Sequence, residues 1–82
     1  MNNWTEKDNK LEREFEFTDF KEALDFVNKV GALAEEANHH PDILLHDYKK
    51  VLLTLTTHSE GSVVTEKDRA LAEEINRISI EK

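Results

Sequence analysis

Cysteine is absent from the 82 residues, so disulfide staples and thiolate zinc sites are excluded and nothing in the chain needs an oxidising compartment. No stretch approaches the ~20 consecutive apolar residues of a membrane span. The opening Met1-Asn2-Asn3-Trp4-Thr5-Glu6 has neither the basic nor the apolar run that begins a secretory signal. The expectation is a soluble, cytoplasmic protein with no membrane partner. Positive charge is in deficit: 11 Lys and Arg against 18 Asp and Glu leave a formal charge of −7, which repels phosphate backbones and anionic lipid. Nucleic acid is therefore not expected as a direct partner, and a substrate should be small and not strongly anionic. Internal repeats, low-complexity tracts and interdomain linkers are missing too. A chain this short supports one core and buries roughly 60–65% of the surface its unfolded form exposes, so a homodimer or homotetramer would add stability.

What is present is strongly patterned. Residues 10–17 alternate strictly, with Leu11, Arg13, Phe15 and Phe17 on one side and Lys10, Glu12, Glu14 and Glu16 on the other, as in a strand with one wet face. Asp8-Asn9 are turn formers, so residues 4–7 are expected to pair back as a short first strand. Over residues 19–37 the period changes, and Phe20, Ala23, Leu24, Val27, Val30, Gly31 and Ala34 recur at three- and four-residue steps, with Phe26 and Leu33 widening the stripe. This predicts an amphipathic helix of about five turns. Thr18 or Asp19 can cap its start, and it should end near Asn38, because Pro41 disfavours helical geometry at His40.

Further on, Ile43-Leu44-Leu45 fits either a short edge strand or a loop packed on the core. Residues 48–57 read as a strand with its valine-leucine face, including Val51 and Leu53, toward the core; if it persists, His58 joins Thr54 and Thr56 on the more polar side. Ser59-Glu60-Gly61-Ser62 is a loop. Thr65-Glu66-Lys67-Asp68 is a variant capping box opening a last helix through Leu71, Ile75 and Ile78. Phe15, Phe17, Phe20 and Phe26 follow these periods and are expected in the core rather than on a stacking platform. The order predicts an α+β fold: an antiparallel sheet of about four strands with two helices packed on one face.

Chemistry concentrates around Asn38-His39-His40-Pro41-Asp42, with Glu35 four residues before the first histidine and His58 beyond the last strand. Imidazole, with an ordinary pKa of about 6.5, exchanges protons near neutral pH, so converging histidines point to acid-base chemistry or metal binding. Against metal, adjacent His39 and His40 lack the helical His-x3-His spacing, although three-histidine zinc sites do exist. Other roles stay open on residue type alone. Asp68 serves the helix cap, the site or both; Glu35 is a site carboxylate or a solvated helix residue; Tyr48 reads as a packed aromatic, and His46 as a surface or interface residue outside the motif.

The ordered set Glu35-x3-His39-His40-Pro41, Tyr48, His58 and Asp68 resembles the pterin-4a-carbinolamine dehydratases. The strand-to-helix junction Phe15-Glu16-Phe17-Thr18-Asp19-Phe20, with Ala23 and Phe26, and the segment Leu53-Thr54-Leu55-Thr56-Thr57-His58 extend the resemblance over most of the chain. It implies a single dehydratase-like domain over residues 1–82 that begins at the hairpin, without the additional N-terminal helix of many relatives. It also implies dehydration of 4a-hydroxytetrahydropterin to the quinonoid dihydropterin in tetrahydropterin recycling. The family needs neither metal nor organic cofactor, the pterin being substrate. Carried over, His39, His40 and His58 are the catalytic set, with Glu35 and Asp68 as supporting carboxylates, and Glu35 is expected to hold the ring of His39. Thr57 and Ser59 are expected to meet the amide-like edge of the pterin through their backbone. Two departures are visible: Asn38 stands where relatives often carry Asp, and Gly61-Ser62-Val63-Val64 replaces a glycine pair. The alternative is a non-enzymatic dimerisation or partner-binding module with the site left vestigial.

Overall fold

The computed structural model describes residues 4–80. Its elements run β1 (Thr5–Lys7), β2 (Lys10–Glu16), α1 (Phe20–Ala37), β3 (Asp42–His46), β4 (Lys50–Leu55), a 3-10 turn (His58–Glu60) and α2 (Glu66–Ile80). The strands form one antiparallel sheet in the order β1-β2-β4-β3. Asp8 and Asn9 both take positive φ, 54° and 64°, between the paired Lys7 and Lys10. Two left-handed residues match the twist of the strands they join, and Asp and Asn tolerate that geometry best after glycine.

Alternation along the two central strands supplies the sheet's half of the core. Leu11 and Phe15 from β2 join Val51, Leu53 and Leu55 from β4, and all are buried against Ala23, Phe26 and Val30 of α1 and Leu71, Ala72 and Ile75 of α2. The Phe26 ring lies 4.8 Å from that of Phe15 and 5.0 Å from that of Phe17. Arg13, on the same side of β2, lays its guanidinium 4.2 Å from the centre of the Phe15 ring and donates to Asn76 Oδ1 at 2.6 Å. The same oxygen accepts from Trp4 Nε1 at 2.7 Å, so one α2 side chain ties down β2 and the residue that leads into β1. The α+β architecture is as expected from the sequence, and the ambiguous segment after Pro41 is an edge strand.

Three local expectations are corrected. Phe20 is 50% exposed and Leu24 41%, whereas Ala23, Phe26, Val30 and Ala34 are buried. At about 100° per residue, Phe20 and Leu24 lie roughly 75° and 115° from the centre of the buried stripe, on its flank. The last strand is shorter than expected, stopping at Leu55. His58 consequently does not lie on a strand face: Thr57 makes an isolated bridge to Val63, and the chain winds into the 3-10 turn, closed by Gly61 at φ 89°.

Candidate active site

The site begins with how α1 ends. Asn38 adopts the left-handed conformation, φ 54° and ψ 43°; its N–H donates to Glu35 O at 3.2 Å, and the next N–H, of His39, donates to Ala34 O at 3.0 Å. This paired closure satisfies carbonyls that a helix terminus otherwise leaves open, and Asn is the side chain after glycine that best accepts the geometry. The reversal at Asn38 takes His39 off the helical path. Its ring turns to α2, and Glu35, one turn earlier, meets His40 instead, with Oε2 2.6 Å from Nε2. The expected Glu35–His39 pairing is thus replaced, because the four-residue helical spacing no longer applies once the helix has closed. Glu35 and His40 side chains are 78% and 57% exposed, so the pair contributes at most about 1 kcal/mol in water.

His39 has a different partner. Its Nε2 lies 2.5 Å from Oδ1 of Asp68, whose side chain is fully buried; the imidazole itself is only 12% exposed. Asp68 is the third residue of α2. Its Oδ2 accepts the Thr65 N–H at 2.9 Å, the carboxylate half of a capping box, while Thr65 Oγ1 caps the neighbouring Lys67 N–H at 3.3 Å. The same Oδ2 accepts the Thr57 hydroxyl at 2.7 Å. Burial by itself would push this carboxyl up, but the bonds from His39, the Thr65 N–H and Thr57, with the nearby imidazole charge, outweigh it and hold Asp68 below its ordinary value. Asp68 therefore serves the helix cap and the histidine at once.

One carboxylate thereby joins three parts of the chain. It holds His39 just past the end of α1 and Thr57 two residues beyond the last strand, and the residues next in sequence to these are His40 and His58. His58 is exposed on the 3-10 turn, with Nδ1 3.2 Å from Ser62 Oγ. Ser59 beside it is exposed as well. Thr57 is 1% exposed, its hydroxyl bonded to Asp68 and, at 2.7 Å, to Thr65 Oγ1. A cleft of about 350 Å³ between α1 and α2 is lined by Leu33, Ala37, His39, Ala70 and Leu71, with Glu36, Lys67 and Glu74 also facing it. It reaches His39 but neither His40 nor His58.

His46 lies elsewhere, on the helix-free face, with Nε2 2.6 Å from Glu14 Oε2 and Nδ1 3.1 Å from Asp47 Oδ2. Tyr48, expected to be packed, is 60% exposed at positive φ in the turn between β3 and β4. Among the described residues, no three His, Asp or Glu side chains are grouped closely enough to hold a metal ion. No helix among them is long and apolar enough to cross a membrane. Thr65 and Ser62 are the members of the constellation that motif reading passed over. Thr65 carried a signal in its capping box, whereas Ser62 meets His58 only because the 3-10 turn brings it back.

Comparison with known proteins gives consistent matches. The family model for pterin 4 alpha carbinolamine dehydratase matches residues 1–78. A protein of Sulfolobus acidocaldarius named "Putative pterin-4-alpha-carbinolamine dehydratase" is 48% identical over 75 residues, which cover 92% of this chain and 80% of that one. Among solved structures, a transcriptional coactivator/pterin dehydratase from Brucella melitensis superposes with a TM-score of 0.86 at 37% identity, covering 94% of this chain and 82% of the other. A pterin dehydratase-like protein identified as a RuBisCO assembly factor in the alpha-carboxysome superposes with a TM-score of 0.76 at 26% identity, covering 93% and 88%.

Proposed function

This chain belongs to the pterin 4 alpha carbinolamine dehydratase family, and from that premise we propose that it removes water from 4a-hydroxytetrahydropterin by histidine acid-base catalysis, in the recycling of tetrahydropterin. The reaction needs two proton movements. A protonated imidazole gives a proton to the C4a hydroxyl, which leaves as water. A neutral imidazole takes the proton from N5, and the N5 electron pair forms the C4a=N5 bond of the quinonoid product. Such positioned transfers are typically worth about 10²–10⁴ in rate each.

The observation that carries this reading is the buried Asp68 carboxylate bonded to Nε2 of His39. A carboxylate accepts and cannot donate, so Nε2 holds a proton and Nδ1 is left to exchange one. His40 is bonded through Nε2 to Glu35 in the same way, so the adjacent pair offers two imidazoles of like orientation chemistry, one to give and one to take. His58, on the exposed turn, binds the pterin edge or shares the protonation, and the backbone at Ser59 is the candidate partner for the pterin's amide-like edge.

A second reading, a partner-binding module, draws on the relative described as a RuBisCO assembly factor and on the exposed apolar flank of α1 formed by Phe20 and Leu24. One experiment separates the two. 4a-Hydroxytetrahydropterin, generated in place by a hydroxylase, is followed by its ultraviolet absorbance with and without the purified protein and a chelator. Acceleration insensitive to chelator is expected. Acceleration abolished by chelator would move the chemistry to a metal, and no acceleration would favour the binding module.

A further inference from the structure

We propose that Thr57 and Thr65 are positioning residues of this site: their hydroxyls form a one-way hydrogen-bond chain that ends on Asp68 and fixes His39 with its proton on Nε2. This deepens the dehydratase reading and rests on it for the site's chemistry, though the chain itself does not depend on any substrate. Its direction follows from counting protons. Asp68 as a carboxylate has none, so the Thr65 N–H, the Thr57 hydroxyl and His39 Nε2 must all donate to it. Thr57 has a single hydroxyl proton, now committed to Asp68. The 2.7 Å contact between Thr57 Oγ1 and Thr65 Oγ1 must therefore be donated by Thr65, whose oxygen in turn accepts from the Lys67 N–H. The chain runs from Lys67 N through Thr65 and Thr57 to Asp68, and His39 meets its far end.

Two consequences separate this from the substrate contact that sequence alone assigns to Thr57. First, Thr57 has nothing left to offer a ligand. Its side chain is 1% exposed and committed at both contacts, its N–H donates to Val63 O, and its carbonyl already accepts from the N–H groups of Glu60 and Ser62. Second, His39 keeps Nε2–H in both charge states, so Nδ1, which has no protein partner among the described residues, is its working nitrogen. Asp68 is the titratable group bonded to the ring, and Glu36, Lys67 and Glu74 share its cleft, so the chain rather than bulk solvent sets the tautomer.

The test uses ¹⁵N spectra of the histidine rings in the whole protein, alongside turnover across pH. In the wild type, His39 is expected as the Nε2–H tautomer when neutral; an Nδ1–H pattern would overturn the proposal without any variant. Thr57→Val removes one donor from Asp68. It is expected to lower kcat about tenfold, the scale of losing the partner behind a working imidazole, with KM changed less than twofold. The acid limb of the kcat profile should move to higher pH, and Thr57→Ser should restore both. A folded Thr57→Val protein with an unchanged kcat profile, or with its loss confined to KM, would return Thr57 to the substrate and sink the proposal. An intact Nε2–H tautomer in a wild type that turns over no pterin would overturn the dehydratase reading and leave the chain standing.

Discussion

Asp68 Oδ1 and His39 Nε2 lie 2.5 Å apart with the carboxylate wholly buried and the imidazole nearly so. Asp68→Asn keeps the shape but turns an NH2 group toward donors on one side or the other, against His39 or against Thr57 and the Thr65 N–H. Leaving such a buried group mispaired costs about 1–3 kcal/mol. Unfolding in urea should show that loss, and kcat should fall at least about 10²-fold, since the tautomer of His39 is no longer enforced.

His39 and His40 should separate stability from chemistry. His40 is more than half exposed and paired only with exposed Glu35, so His40→Ala should change stability by less than about 0.5 kcal/mol while removing most of the activity. His39→Ala should remove activity and also destabilise by about 1–3 kcal/mol, because Asp68 loses a donor in a buried position. Thermal melts and initial rates on the two variants give both readouts. Wild-type turnover in folded His40→Ala would refute its role.

Acid should reveal the cap. Asp68 titrates below its ordinary value of 3.8 in the folded chain, so the unfolded state binds its proton first as pH falls. The stabilisation is fully present above 3.8 and is lost as pH drops through that value to the depressed folded one. Urea midpoints measured through this window should fall with pH in the wild type and fall less steeply in Asp68→Asn. Equal slopes in the two proteins would mean that other carboxylates dominate the acid transition.

How far this site was legible in the sequence depended on local geometry. The three- and four-residue period located the buried side of α1 at Ala23, Phe26, Val30 and Ala34 but also drew in Phe20 and Leu24, which the structure leaves exposed, whereas the strict alternation through Leu11 and Phe15 placed β2 without such an excess. Single-residue events were not legible. One left-handed residue, Asn38, switches the partner of Glu35 from the expected histidine to its neighbour, and Tyr48 is an unusual residue type for the positive φ it adopts. Ile43-Leu44-Leu45 has no alternation to read, and only its pairing to Val51, Leu52 and Leu53 settles it as a strand. The dual role of Asp68 was open in the sequence because a capping box and a histidine partner ask for the same carboxylate.

Asn38 should matter for its backbone rather than for its charge. Asn38→Gly should leave stability and activity near wild type, whereas Asn38→Ala should cost about 1–2 kcal/mol, the penalty of a Cβ in left-handed geometry. If the missing carboxylate at this position were what counted, Asn38→Asp would raise kcat, and Asn38→Gly and Asn38→Ala, both uncharged, would behave alike. Melting temperatures and rates on the three variants decide between these outcomes.

The arrangement of the sheet also bears on how the molecule assembles in time. Each hairpin closes over a few residues, but the central pairing joins Leu11 to Leu55 across the whole of α1 and β3. Closing such a long loop is the slow step in small domains. The parts that meet at Asp68 come from the end of α1, the end of β4 and the start of α2, so neither hairpin alone holds any of the constellation together. Refolding followed through the single Trp4 and through the return of turnover should share one rate constant, the chemistry appearing with the last cooperative event and never before it.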